Sequence, residues 1–181
     1  MSRTLLGTAD QLGFMVDDLE AAVRSWGARA GIGPFFYFDP APYEIEYLGK
    51  ESAPLWSAAI AYAGTTQIEL MCQHDDAPSV YQDFKKKHGE GLLHTGRYVP
   101  SPKAVSDALV SRGCKMLQFN WDGNKVEDCI YLETADHPGA LVELIIATPA
   151  RLARAELLQK LARDWDGTNP FRPFAELSNM T

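Results

Sequence analysis

The chain carries one pattern twice. Gln11-Leu12-Gly13-Phe14-Met15-Val16 is followed by Gln67-Ile68-Glu69-Leu70-Met71, and His94-Thr95-Gly96-Arg97-Tyr98-Val99 by Leu141-Val142-Glu143-Leu144-Ile145. The interval from 11 to 94 is longer than that from 69 to 143, so the repeat is degenerate, but it keeps order and residue chemistry. Self-similarity of this kind predicts a duplicated structural module. Each half opens and closes on a residue able to bind a metal.

The segments between these landmarks predict the same element order in both halves. Asp17-Asp18 precedes Leu19, Ala22, Val23 and Trp26, an apolar stripe at helical spacing behind an acidic cap. Gly31-Ile32-Gly33-Pro34 ends that helix, and strands are expected at Phe35–Phe38, Tyr43–Leu48, Trp56–Tyr62 and Thr66–Cys72, with a loop around Gly49–Pro54. Residues 77–91 read as a helical connector. The order then restarts with a strand to Val99, a helix opened by Ser101-Pro102 and stopped by Gly113, and three strands at Cys114–Asn120, Val126–Thr134 and Ala140–Ala147. Turns are expected at Trp121-Asp122-Gly123-Asn124 and at Asp136-His137-Pro138-Gly139. The expected organisation is therefore a first βαβββ module over 1–76, the connector, a second module over 92–147, and a helix with a tail over 148–181. The fold class is α+β: two βαβββ modules forming a curled mixed-sheet cup, with an extra C-terminal helix. The last helix, with Leu152, Leu158, Leu161 and Trp165, is expected on the outside of a sheet, and the tail with Phe171 and Phe174 in a groove.

Composition narrows the partners. A formal net charge of −7 argues against nucleic acid and anionic membranes, which are bound through clustered Lys and Arg. Lys85-Lys86-Lys87 precedes Gly89 and suits a helix C-terminus. No apolar run approaches the length of a membrane helix, and the first residues lack the apolar stretch of a signal peptide, so a cytoplasmic protein acting on a small molecule is expected. Three cysteines without C-x-x-C spacing point to reduced thiols. Gly31-Ile32-Gly33 lacks the third glycine and helix of a phosphate loop, and no nucleophile elbow is present.

Strand alternation puts Gln11, Gly13 and Met15 on one face and Leu12, Phe14 and Val16 on the other. By the same parity His94 and Gly96 correspond to Gln11 and Gly13, and Glu69 and Glu143 stand at equivalent places between apolar neighbours. A strand Glu or a single His is by itself an ordinary structural residue. Four at matching positions of two modules predict a shared centre, with the glycines expected to leave space for metal or substrate. Two carboxylates inside a cup are costly without a compensating cation. Three oxygen donors and one nitrogen suit one divalent ion among Zn, Ni, Co, Mn and Fe(II). His137 is expected to be a turn residue.

These motifs carry a resemblance. Q-L-G-F-M-V-D-D-L-E-A-A-V, Q-I-E-L, G-L-L-H-T-G and H-P-G-A-L-V-E-L-I resemble the vicinal oxygen chelate superfamily, which includes glyoxalase I, methylmalonyl-CoA epimerase and extradiol dioxygenases, over about Ala9 to Ala147. The resemblance implies that the first and last strands of each module present the metal ligands, here Gln11, Glu69, His94 and Glu143. The Gln, Glu, His, Glu order is similar to the glyoxalase I type of site. Ring-cleaving dioxygenases use two His and one Glu, and Gln11 departs from that. Features that bind glutathione in glyoxalase I are not found, so its substrate is not carried over. The family closes its site within one chain or across a homodimer, and both stay open at this point.

The implied chemistry is proton abstraction next to a carbonyl, with the resulting enediolate held by the metal's charge and with Glu143 as base and Glu69 returning the proton. The aromatic residues of the first module, Phe36 and Trp56 among them, predict a pocket for a fairly bulky or acyl-type substrate. A lyase, isomerase or epimerase is thus expected. A metal-free binding protein of the bleomycin-resistance type and a ring-cleaving dioxygenase are the alternatives.

Overall fold

The computed structural model describes residues 5–121, 126–134 and 141–179. The turns expected at 122–124 and 136–139, His137 included, lie outside the described residues. The first half runs β1 (Gln11–Met15), α1 (Leu19–Ala30), β2 (Phe35–Pro42), β3 (Ile45–Tyr47), β4 (Lys50–Ser52), β5 (Leu55–Ala63) and β6 (Thr66–Gln73). After α2 (Val80–His88) the second half runs β7 (Gly91–Val99), α3 (Pro102–Val110), β8 (Lys115–Trp121), β9 (Glu127–Glu133) and β10 (Leu141–Ile146). α4 (Pro149–Arg163), β11 (Phe171–Pro173) and a 3₁₀ turn (Phe174–Asn179) complete the chain. Among the described residues no helix is long and apolar enough to cross a membrane.

The helices begin where their capping chemistry says they should. Asp18, Ser79, Ser101 and Thr148 each accept a hydrogen bond from the backbone N–H three residues on, which satisfies a donor that the first turn leaves free. Pro102 and Pro149 follow two of these caps, where a missing N–H costs nothing. Gly31, at φ 65°, ends α1 in the left-handed region.

One mixed sheet has the order β11-β2-β5-β6-β1-β7-β10-β9-β8-β3-β4. Its centre is the repeat. β1 pairs in parallel with β6, β7 in parallel with β10, and β1 and β7 run antiparallel to each other. The two modules therefore mirror each other across the β1–β7 seam. On the convex face Val23, Phe35, Leu70 and Ala61 pack under α1, with Phe14 edge-on to Trp26 at 5.1 Å. Leu109, Ile130, Leu132 and Leu144 do the same beside α3. Each fully buried Leu, Ile or Phe there contributes about 1.5–3 kcal/mol.

Two features correct the expectations from sequence. The loop expected around Gly49–Pro54 holds β4, the return arm of a hairpin with β3. That hairpin leaves the first module and pairs with β8 of the second, Glu46 opposite Phe119. With β2 ending at Pro42 and β3 starting at Ile45, the two outer rims of the curled sheet are linked.

α4 is the second correction. It lies across the concave side, not the outside: Ala155 and Leu158 pack with Phe36, Ile60 and Tyr62, whereas Leu152 is exposed. Trp165 then fits against Gly33, where a Cβ would come within 2.8 Å of the indole ring. The tail adds β11 to the edge of β2, stacks Phe171 on Tyr37 at 4.0 Å and stacks Phe174 on Phe38 at 4.0 Å.

Candidate metal centre and its cavity

β1 and β7 bring the four expected ligand residues to one place, and all four come from a single chain. Strand pairing sets Gly96 opposite Gln11, and His94 opposite Gly13. Glu69 stands beside Gly13 on the neighbouring β6, and Glu143 beside Gly96 on β10. The glycines have a different role from the one expected. They make room for a side chain of the other module, His94 or Gln11, not for metal or substrate. A Cβ on Gly13 would overlap the His94 ring, and one on Gly96 would lie 2.5 Å from Gln11 Oε1.

His94 Nε2 is the hub. Gln11 Oε1 lies 2.9 Å from it, Glu143 Oε2 2.9 Å and Glu69 Oε2 3.6 Å. The ring is wholly buried and Glu143 is 5 % exposed. Glu69, His94 and Glu143 each offer a ligand atom, and these atoms lie within 4.8 Å of one another. Nε2 can carry one proton at most, and the contact with Gln11 has hydrogen-bond geometry, so Glu143 Oε2 has no hydrogen-bond partner among the described residues. His94 Nδ1 also has no partner among them.

The protonation pattern follows from burial and proximity. Burial, and then the Glu143 carboxylate, push Glu69 up to about 8. Burial alone would raise Glu143 as well, but the His94 charge beside it prevails and lowers it. Burial alone would lower His94, and Glu143 with Glu69 outweighs that and raises it. Convergent oxygen lone pairs, an orphaned carboxylate oxygen and two buried acids fit a divalent cation, which would be held by Gln11, Glu69, His94 and Glu143.

A cavity of about 280 Å³ opens from this centre, with Gln11, Glu69 and Glu143 on its lining. Trp56 is on the wall with Tyr81 and Tyr131, and α4 contributes Arg151, Arg154 and Leu158. Phe36 is not on the lining: it is fully buried beneath α4 beside Leu158 and Leu177.

Several residues around the centre were not singled out from sequence. Gln67 Oε1 accepts from Gln11 Nε2 at 2.6 Å, which turns the Gln11 oxygen towards His94. Gln67 precedes Glu69 by two positions on the same strand face, and that parity was the available signal. Tyr131 stands edge-on to the His94 ring at 5.4 Å. Arg151, ion-paired to Asp128 at 2.6 Å, falls in an amphipathic stripe with Arg154, Ala155 and Leu158, readable as i, i+3, i+4, i+7.

Comparison with known proteins places this architecture. The fold is similar to methylmalonyl-CoA epimerase from Mycobacterium tuberculosis, with 21% identity, a TM-score of 0.54, and 84% of this chain and 96% of that chain covered. It is also similar to a hypothetical protein from Bacillus halodurans, with 17% identity, a TM-score of 0.56, and coverage of 78% and 94%. A variant of Streptomyces coelicolor methylmalonyl-CoA epimerase in complex with 2-nitronate-propionyl-CoA aligns at 18% identity and a TM-score of 0.51, covering 80% and 96%. No curated protein matches the chain significantly. At these identities the likeness shows the fold. A family model described as glyoxalase/bleomycin resistance protein/dioxygenase superfamily matches residues 10–129, and the chain belongs to that superfamily.

Proposed function

We propose that the protein is a divalent-metal-dependent isomerase, epimerase or lyase that removes a proton next to the carbonyl of an acyl-type small molecule. The observation that carries this reading is the meeting of Gln11, Glu69 and Glu143 oxygens around His94 Nε2 at the base of a closed-in cavity. When bound, the ion supplies Lewis-acid stabilisation of the negative charge that develops on the substrate.

The chain's own residues divide the proton work. Glu143, 2.9 Å from His94 Nε2, accepts the proton from the carbon while the C–H electron pair moves towards the carbonyl oxygen. Glu69, across the cluster, takes up a proton from solvent and delivers it to that carbon, which inverts it if delivery is to the opposite face. At about 280 Å³ the cavity falls at the low end of small-molecule sites, so it encloses the reacting part of an acyl compound and not a bulky whole. Similarity to an epimerase in complex with 2-nitronate-propionyl-CoA favours such a substrate.

The test is solvent deuterium incorporation next to the carbonyl, followed by mass spectrometry over 2-substituted acyl thioesters and 2-hydroxycarbonyl compounds, with Co²⁺ or Mn²⁺ supplied. Exchange that needs the ion and falls about 100-fold or more in Glu143→Gln supports the reading. A Glu143→Gln variant that exchanges as fast as the parent, or a chain that binds no divalent ion in calorimetry, overturns it in favour of a binding protein.

A further inference from the structure

The roof of the cavity holds groups that this proton transfer does not use. Arg151 and Arg154 are both on the cavity lining, near the start of α4. Arg151 donates to Asp128 Oδ1 at 2.6 Å and to the Ile146 carbonyl at 3.1 Å. A guanidinium carries five N–H donors, so more than half of those on Arg151 are left over. Arg154 makes no ion pair among the described residues, and its guanidinium sits 5.0 Å from the centre of the Phe174 ring.

A third donor stands on the same lining. The indole N–H of Trp56 is buried and has no acceptor among the described residues, an expensive state for a group that can only donate. Contacts run from it to the arginine without a break: Trp56 packs on Tyr43 at 5.5 Å, and the Tyr43 hydroxyl donates to Asp128 Oδ2 at 2.6 Å. Both Asp128 oxygens are thereby engaged, one by Tyr43 and one by Arg151. This part of the cavity offers donors and asks for an acceptor.

Charge and size sharpen the demand. Arg151 is neutralised by Asp128, whereas Arg154 on the same lining has no ion pair among the described residues, so this end of the cavity presents one guanidinium without a carboxylate partner. That favours a singly charged anion. Tyr43, Trp56, Tyr81, Tyr98 and Tyr131 supply ring faces and edges along the wall, which suit a planar apolar body.

We propose that the part of the substrate enclosed by the cavity carries a carboxylate on a planar, apolar body, its carboxylate held by Arg154, Arg151 and the Trp56 N–H while its carbonyl meets the Gln11–Glu69–His94–Glu143 cluster. The assignment rests on the proton-transfer reading for the second contact only. α4, which lies beyond the residues matched by the superfamily model, is then the element that selects the substrate.

Benzoate and its neutral isostere benzamide test this, titrated calorimetrically into the full-length chain saturated with Zn²⁺. The parent is expected to bind benzoate about tenfold or more tightly than benzamide. Arg154→Met, a change at an exposed position, is expected to bring that preference close to unity and to leave benzamide and Zn²⁺ affinity unchanged. The indole N–H resonance that disappears in Trp56→Phe is expected to move when benzoate is added. Equal binding of the two probes by the parent overturns the proposal. So does a preference for benzoate that survives Arg154→Met, because the carboxylate then lies on the metal, and so does an unmoved Trp56 resonance. A chain that fails to bind Zn²⁺ but shows the Arg154-dependent preference removes the metal reading and leaves the carboxylate site standing.

Discussion

Two glycines shape the centre as much as its four converging side chains do. Gly13 faces His94 and Gly96 faces Gln11 across the β1–β7 seam, so a methyl group at either position competes with a buried side chain of the other module for the same volume. Gly13→Ala is expected to cost about 1–3 kcal/mol in denaturant unfolding and to abolish divalent-ion binding, because the His94 ring has nowhere to move. Gly7→Ala, with nothing within 4 Å of its Cβ, serves as the neutral control. The acid–base pattern gives a second expectation. Glu69, at about 8, and His94, also raised, both hold protons more tightly in the folded state than in the unfolded chain. Their contribution to stability is complete below their unfolded values and is lost as pH rises through the folded ones, so the melting temperature of chelated protein should fall as pH rises from about 4.5 to about 8, more steeply above 6.5 where His94 adds to Glu69. An ion must displace the same protons, so its affinity should rise over that interval, with proton release visible as a buffer-dependent calorimetric enthalpy. Gln11, Glu69, His94 and Glu143 were legible as a set because strand parity and module equivalence both pointed to them. The purpose of the glycines was not, because it depends on which residue lies across the strand pair, and register between distant strands is absent from a linear pattern.

Among the elements, α4 shows what amphipathicity does and does not tell. An apolar stripe says that a helix has a face to bury, but a curled sheet has two apolar sides. The choice of the concave one follows from the short Ala147-Thr148 link after β10 and from the room left above Phe36 and Ile60. The same ambiguity explains Phe36, aromatic and inward-facing yet covered by the helix, whereas Trp56 reaches the cavity. β4 was missed because Lys50-Glu51-Ser52 has none of the β-branched or aromatic residues that mark a strand, and its pairing with β3 makes it one. The end of α4 is anchored by Trp165, which fits against Gly33 and donates from its indole N–H to the Thr168 carbonyl at 2.6 Å. Trp165→Ala is expected to cost about 2 kcal/mol, less than for a fully buried ring, and to weaken benzoate binding by loosening α4 while divalent-ion affinity holds. Denaturant titration beside calorimetry separates the two effects.

At the scale of the molecule, the duplicated halves do not amount to two independent bodies. Their central strands β1 and β7 pair with each other, and β8 also takes up the hairpin from the first half. Residues 92–147 expressed alone would present β7 and β8 as unpaired edges, so the fragment is expected to show no cooperative unfolding transition by circular dichroism. The full chain should unfold in one step, with calorimetric and van't Hoff enthalpies in agreement. The β3–β4 hairpin carries a further meaning. By carrying chain from the first half onto the far margin of the second, it ties the two rims of the bowl together through backbone pairing, so a change in the bowl's width would have to break main-chain hydrogen bonds and not merely shift side chains.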